Sequence, residues 1–303
     1  MSISSDLLRV FDGKYLPVPA ASPDQGDDSQ LLLITASLET NASWLLQHFA
    51  RSCIGNSTGR SIGRRADSLG GGGETGAGGD RHWRAPVVFL SFVQEFQFYA
   101  RSFKKTGVDV SSLIQKKSFL YIDGFSKLVC DLPPAAASES RPELYLRAEN
   151  KDKWIQQIAN AVAGLSKTTS YRPMVIVEGI EMLHVLGIWP VQEILDFVSD
   201  LQEIAGISVI SVSGSNAVLR GATSLSQGQE ALFFSLLNRA SAVFSIRSLD
   251  SGYAKDVTGV IRITKGGQPS GDGKAPSIDE GEYHYFVGEG NLSGVRVFEK
   301  GHS

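Results

Sequence analysis

The stretch Leu31-Leu-Leu-Ile-Thr-Ala-Ser-Leu-Glu-Thr-Asn-Ala-Ser43, with Trp44, Leu45, His48, Phe49, Ser52 and Cys53 following at helical spacing, decides the fold. Its first residues form a short apolar run with no polar alternation, the signature of a strand buried on both faces. From Trp44 the period becomes helical, so a strand passes through an eight-residue turn into a helix. Outward from this unit the same alternation repeats. Pro86–Phe92 reads as a strand, followed by a helix whose buried face is Phe96, Tyr99, Ala100 and Phe103 and whose stop is Gly107. Phe119–Asp123 is a third strand, and Trp154, Ile155, Ile158, Val162 and Leu165 form a helical stripe. Met174–Val177 and Ile207–Val212 are further strands, separated by a helix carrying Val191, Ile194, Leu195, Val198 and Leu201; another helix is expected from about Gln229 to Asn238. Strand–helix alternation of this kind predicts an α/β domain of three layers around a mostly parallel sheet. From Val243 the strands come without helices between them: Val243–Arg247, Gly259–Thr264, Tyr283–Val287 and Gly294–Phe298 predict a short antiparallel meander at the C-terminal end.

The chain has 303 residues, 42% of them hydrophobic and 20% charged, enough for a sizeable core and an ordinary soluble surface. Glycine is in surplus, 32 in all, and much of it lies in Gly55–Arg84, which includes Gly70-Gly-Gly-Gly-Glu-Thr-Gly-Ala-Gly-Gly79. Such a segment cannot bury enough apolar surface to offset its ordering entropy. Residues 1–303 are therefore expected to form one domain with flexible insertions at about 55–85, 131–149 and 266–281. Removing about 65 residues leaves about 240 for the compact part, still within the range of a single domain. No apolar run reaches the length of a membrane span, and the N-terminus has no signal-peptide pattern. Cys53 and Cys130 have no CxxC partner, so the expectation is a cytoplasmic or nuclear protein with neither disulfides nor zinc. A formal charge of −3 excludes a generally basic nucleic-acid binder but not a local basic surface.

In a sheet of this kind the turn after the first strand is where a phosphate site is expected. Ala36-Ser-Leu-Glu-Thr-Asn-Ala-Ser43 has the length and place of GxxxxGK[ST], but its chemistry is missing. Ala36 and Asn41 replace the glycines that let a backbone wrap phosphates, and Ala42 replaces the lysine; Ser43 alone matches. Glu39 adds negative charge to the same loop. The turn therefore reads as a strand-to-helix connection capped by Asn41 or Ser43, with no bound cofactor expected. Glu178 ends Met174-Val-Ile-Val-Glu178 as a Walker B carboxylate would, and Gln94 and Glu95 stand where ATPases of this architecture keep a water-activating acid; the polar start of a helix explains the latter pair equally. The histidines and cysteines share no metal-ligand spacing, and no nucleophile elbow is present, so no catalytic residue is assigned.

The collinear set formed by the Leu31–Leu46 stretch, Val88–Tyr99, Gly107-Val-Asp-Val110, Phe119–Phe125, Val175–Gly187 and Val295–Gly301 resembles the subunit-six family of the Elongator complex. The similarity runs from about Leu31 to the C-terminus outside the insertions. It implies a RecA-like domain that has lost the Walker residues. It also implies a hetero-hexameric ring with Elongator subunits four and five, two copies of each, joined to the catalytic subcomplex that modifies the wobble uridine of transfer RNAs. The chain would then be a non-catalytic structural and tRNA-handling subunit. A RecA-like ATPase with an unconventional site, active only in the assembled ring, is the enzymatic alternative, and a recombinase-like DNA-repair paralogue is a third. In such rings the loop after the fifth strand faces the channel. Here that loop is Ser213–Ser224 and Arg220 is its one charge, making Arg220 the candidate RNA contact. The N-terminal Leu7, Leu8, Val10, Phe11, Tyr15 and Leu16 fit either a neighbour or their own domain, and Arg60, Arg64, Arg65, Arg81 and Arg84 offer diffuse RNA affinity. Lys104, Lys105, Lys116 and Lys117 read as solvated helix and turn residues.

Overall fold

A computed structural model describes residues 29–54, 85–129, 144–165, 171–214, 223–252, 254–268, 278–288 and 295–299. The apolar runs become strands β1 (Gln30–Ala36), β2 (Val87–Ser91), β3 (Phe119–Asp123), β5 (Met174–Glu178) and β6 (Ile207–Ser213). A two-residue strand β4 (Leu144–Tyr145) precedes β5, and β7 (Ala242–Arg247), β8 (Gly259–Lys265), β9 (Gly281–Phe286) and β10 (Arg296–Glu299) follow β6. The described residues form one sheet in the order β10-β9-β8-β7-β1-β6-β5-β2-β3-β4. Pairing is parallel from β7 through β4 and antiparallel from β7 outward to β10. Alternate residues face opposite layers: Leu32 and Ile34 join one core, Leu31 and Leu33 the other, and all four are fully buried. That double burial is why β1 carries no polar alternation.

Helices cover both faces. On one lie α1 (Ser43–Ile54), α2 (Phe96–Lys105) and α3 (Val110–Gln115), packed through Trp44, Phe49, Phe96, Tyr99, Phe103 and Leu113. On the other lie α5 (Trp154–Ala163), α6 (Met182–Val185), α7 (Val191–Ile204) and α8 (Ser224–Arg239), contributing Trp154, Ile158, Leu183, Ile194, Val198, Leu232 and Leu236. A single turn, α4 (Ser126–Val129), follows β3. Helix α2 stops where expected. Gly107 takes φ 81°, letting its own N–H reach Lys104 O and the Val108 N–H reach Phe103 O, each at 3.0 Å.

The expected three-layer α/β architecture is present, with three local differences. Val243–Arg247 lies in β7, which starts the antiparallel meander by pairing with β8 but also pairs parallel with β1 on its other side; the preceding helix returns the chain to the same end of the sheet, so the crossover imposes that parallel pairing. Helix α8 starts at Ser224, before the expected Gln229, because Thr223 and Ser226 form a reciprocal capping box. The insertion bounds also overreach. Leu144 and Tyr145 pair with Ile122 and Asp123, Leu146 is fully buried, Trp154 donates to Arg147 O at 2.9 Å, and Gly266 and Gly267 lie against Ala240 and Asn238. Residues 55–84, 131–143 and 269–277, together with the N-terminal patch and the arginines near the Gly-rich stretch, lie outside the described residues.

Candidate nucleotide site

The C-terminal ends of β2, β5 and β6 are in register, Ser91 beside Glu178 and Glu178 beside Ser211. Parallel neighbours in register project their side chains to the same face, so Ser91 and Glu178 emerge together beneath α1 and α2. Helix α1 begins with Ser43 directly above them. The Ser43 hydroxyl donates to Glu178 Oε1 at 2.9 Å, and the Ser91 hydroxyl donates to Oε2 at 2.7 Å. The Tyr99 phenol, from the first turns of α2, also donates to Oε2 and lies 3.4 Å from Ser43 Oγ. Glu178 is 7% exposed, Ser43 6%, Ser91 0% and Tyr99 1%, so the cluster is closed to solvent. Burial first, and then the Glu178 charge, hold the Tyr99 phenol well above the ordinary tyrosine range, fixing it as a proton donor.

The geometry retains the pairing that a metal-dependent phosphate site would use, a loop hydroxyl beside a strand-end carboxylate. A hard cation needs free oxygen lone pairs and room for several waters. Here three hydroxyl donors occupy most of the carboxylate's lone-pair sites, both of those on Oε2 and one on Oε1, and the Tyr99 phenol lies beside Ser43 in place of solvent. The residues present do not fit a magnesium ion.

The loop itself is equally occupied. The Ser37 N–H donates to Ile246 O at 3.0 Å and the Thr40 N–H to Ser37 O at 3.0 Å. The Ser43 N–H donates to Asn41 Oδ1 at 2.6 Å, which makes Asn41 the residue that caps the start of α1. A phosphate-binding loop needs such N–H groups free and convergent. Ala36 pairs within the sheet and Ala42 O accepts from Leu45 N, continuing the helix backward. Glu39 accepts from Ser248 Oγ at 3.0 Å, and Leu38 stands 69% exposed at the tip, an apolar residue where a nucleotide would need polar contacts.

Of the other candidates, Gln94 and Glu95 are the polar lead into α2: the Gln94 N–H donates to Ser91 Oγ and the Gln94 carbonyl accepts from the Tyr121 phenol, while Glu95 is the N-cap without a side-chain cap bond. Asp123, at the end of β3, accepts from the backbone of Phe125 and Ser126 and from the Ser126 hydroxyl, a turn-forming role. Arg220 lies outside the described residues. Tyr99 and Ser91 are the members that spacing did not assign. A tyrosine within the otherwise phenylalanine-rich stripe Phe96, Tyr99, Phe103 is the available signal, because a buried phenol needs an acceptor. Among the described residues no cluster of histidine, cysteine and carboxylate can hold a metal. Cys53 is buried, and burial pushes its thiol up to about 12, so it is inert. No helix among the described residues is long and apolar enough to cross a membrane.

The family model described as Elongation complex protein 6 matches residues 82–288. The chain is 28% identical over 211 residues to Elongator complex protein 6 of Xenopus tropicalis, covering 66% of this chain and 76% of that protein. It is 27% identical over 222 residues to the Elongator complex protein 6 homolog of Schizosaccharomyces pombe, covering 71% and 80%. Among solved structures, a KaiC-like protein from Pyrococcus horikoshii superposes with a TM-score of 0.51 at 12% identity, covering 93% of this chain and all of that one, a likeness of fold alone. The α/β layers fix the fold, and a family match over residues 82–288 leads to one assignment: this RecA-like chain belongs to the Elongation complex protein 6 family.

Proposed function

We propose that the chain is a non-catalytic subunit of Elongator that builds a hetero-hexameric ring with subunits four and five and handles transfer RNA during wobble-uridine modification. The closed cluster carries the non-catalytic part of this reading. Glu178 is enclosed by the hydroxyls of Ser43, Ser91 and Tyr99 in the place where an ATPase would keep metal and water. The family membership supports the complex, and the absence of glycine and lysine from Ala36–Ser43 supports a structural role for the old phosphate loop. Such a subunit acts in the cytoplasm or nucleus, consistent with a sequence whose two cysteines suggest no disulfide framework.

Titration of the chain with a fluorescent ATP analogue and magnesium tests the reading. The expected result is no saturable binding below the millimolar range, alone or in the assembled ring at this subunit's site. The retained Ser43–Glu178 pair is the one observation favouring an ATPase completed by a neighbour. Turnover that appears on ring assembly and disappears with Ser43→Ala or Glu178→Gln of this chain, with the ring intact, would establish that rival.

A further inference from the structure

The segment Phe96–Ser118, comprising α2, α3 and their connections, holds Arg101, Lys104, Lys105, Lys116 and Lys117 against the single carboxylate Asp109. Its net charge is thus +4 in a chain whose total is −3, so the rest of the molecule is distinctly acidic. The fold draws these cations together. Phe103 and Phe119 meet with ring centroids 5.8 Å apart, which sets Lys104 and Lys105, just after Phe103, near the turn carrying Lys116 and Lys117, just before Phe119. All five cations are exposed, and none has an ion-pair partner among the described residues. Asp109 accepts from the Ser112 N–H as the cap of α3.

Two further observations separate this array from an ordinary solvated face. Lys117 sits at φ 54°, the one non-glycine residue with positive φ among the described residues. That is the position after a helix end where glycine is unstrained and a lysine is not. A cation therefore stands where the backbone favours glycine. Phe98 is 37% exposed and shares one face of α2 with Arg101 and Lys105, at spacings of three and seven residues. The face from Phe98 to Lys105 extends about 10 Å, set by the helix rise.

We infer that the outer face of α2 and the α3–β3 turn form a contact surface for an RNA backbone, with the lysines and Arg101 facing phosphates and Phe98 offering a ring to an unpaired base. The inference rests on the tRNA-handling reading and gives it a surface on the described fold, separate from Arg220. Exposed lysines without buried polar anchors suit sequence-independent phosphate contact, and an aromatic ring among them suits a nucleic acid better than an acidic peptide.

The test is tRNA binding by the assembled complex, followed by fluorescence anisotropy at several salt concentrations. In the variant K104A/K105A/K116A/K117A, affinity at low salt falls at least about tenfold, and the slope of log affinity against log salt becomes shallower by about two to four. Phe98→Ala weakens binding about fivefold or more with the slope unchanged, because stacking releases no counterions. Lys117→Gly separates folding from binding: it raises the melting temperature by relieving the backbone while reducing the slope by about one. Unchanged affinity and slope in an intact complex overturn the surface while leaving tRNA handling standing. A folded variant that no longer joins the complex, seen by native mass measurement, assigns the face to a protein neighbour and also overturns the proposal. A wild-type complex without salt-dependent tRNA binding removes both the surface and the reading beneath it.

Discussion

Glu178 and Glu181 lie three residues apart at the same end of the sheet, yet their surroundings are opposite. Glu178 faces the layer of α1 and α2 and accepts from three hydroxyls. Glu181 faces the layer of α6 and α8, in a small cavity lined by Val212, Ser213, Gln229, Leu232 and Phe233. There its Oε1 accepts the Ser213 N–H at 2.8 Å, while Oε2 is closed off from solvent without a partner. One carboxylate is the hub of a satisfied network, and the other is held by a single bond. The lesson is that a buried acid at a strand end is no sign of catalysis by itself, since what its oxygens are already doing decides what remains available. At Glu178 little remains, and at Glu181 one oxygen does.

The contrast predicts unequal costs. Glu178→Ala strands three buried donors and leaves a void, so it is expected to lower unfolding stability by about 4 kcal/mol, measured by urea denaturation. A loss below about 1 kcal/mol would mean that the hydroxyls find other acceptors and that the hub is no hub. Gly179 lies between the two acids and turns the chain from one layer toward the other. Its φ of 69° and the approach of Val93 Cγ2, 2.2 Å from where a Cβ would stand, leave no room for a side chain. Gly179→Ala should therefore cost about 2 kcal/mol. Tyr99→Phe removes one donor to Glu178 and keeps the ring packing, for an expected loss of about 1.5 kcal/mol. If that variant gained magnesium-dependent binding of an ATP analogue, the tyrosine would be a plug on a working site, and the structural reading of the cluster would fall.

The legible parts were those whose physics is local. Leu31–Thr35 declares a doubly buried strand because each side chain must meet a helix layer, and Ala36, Asn41 and Ala42 show directly that the glycines and lysine of a phosphate loop are missing from this turn. The partners of Glu178 were hidden because Ser91 and Tyr99 reach it across 87 and 79 residues. Strand β4 was hidden because two residues carry no period. The cations at Arg101, Lys104, Lys105, Lys116 and Lys117 were readable one by one but not as a group. Their convergence depends on the packing of Phe103 on Phe119.

The smallest effect comes from Glu181, and its sign is set by protonation. Burial above all raises its carboxyl from the ordinary 4.5 to about 7, with the nearby Glu178 charge adding to the rise and the Ser213 N–H opposing it. Between about pH 4.5 and 7 the folded chain holds a proton that the unfolded chain has released. Stability contributed by this group therefore declines as pH rises through that window and levels off above it. The limiting slope for one proton is about 1.4 kcal/mol per pH unit, and because Glu181 is only half-buried as a residue, a fraction of that is expected. Glu181→Gln keeps an acceptor for Ser213 and cannot ionise, so urea midpoints at pH 5, 6, 7 and 8 should converge with those of the natural chain at low pH and exceed them above pH 7. Parallel pH curves for Glu181→Gln and the natural chain would show that the unpartnered oxygen is solvated after all, and the difference between the two carboxylates would reduce to the number of their hydrogen bonds.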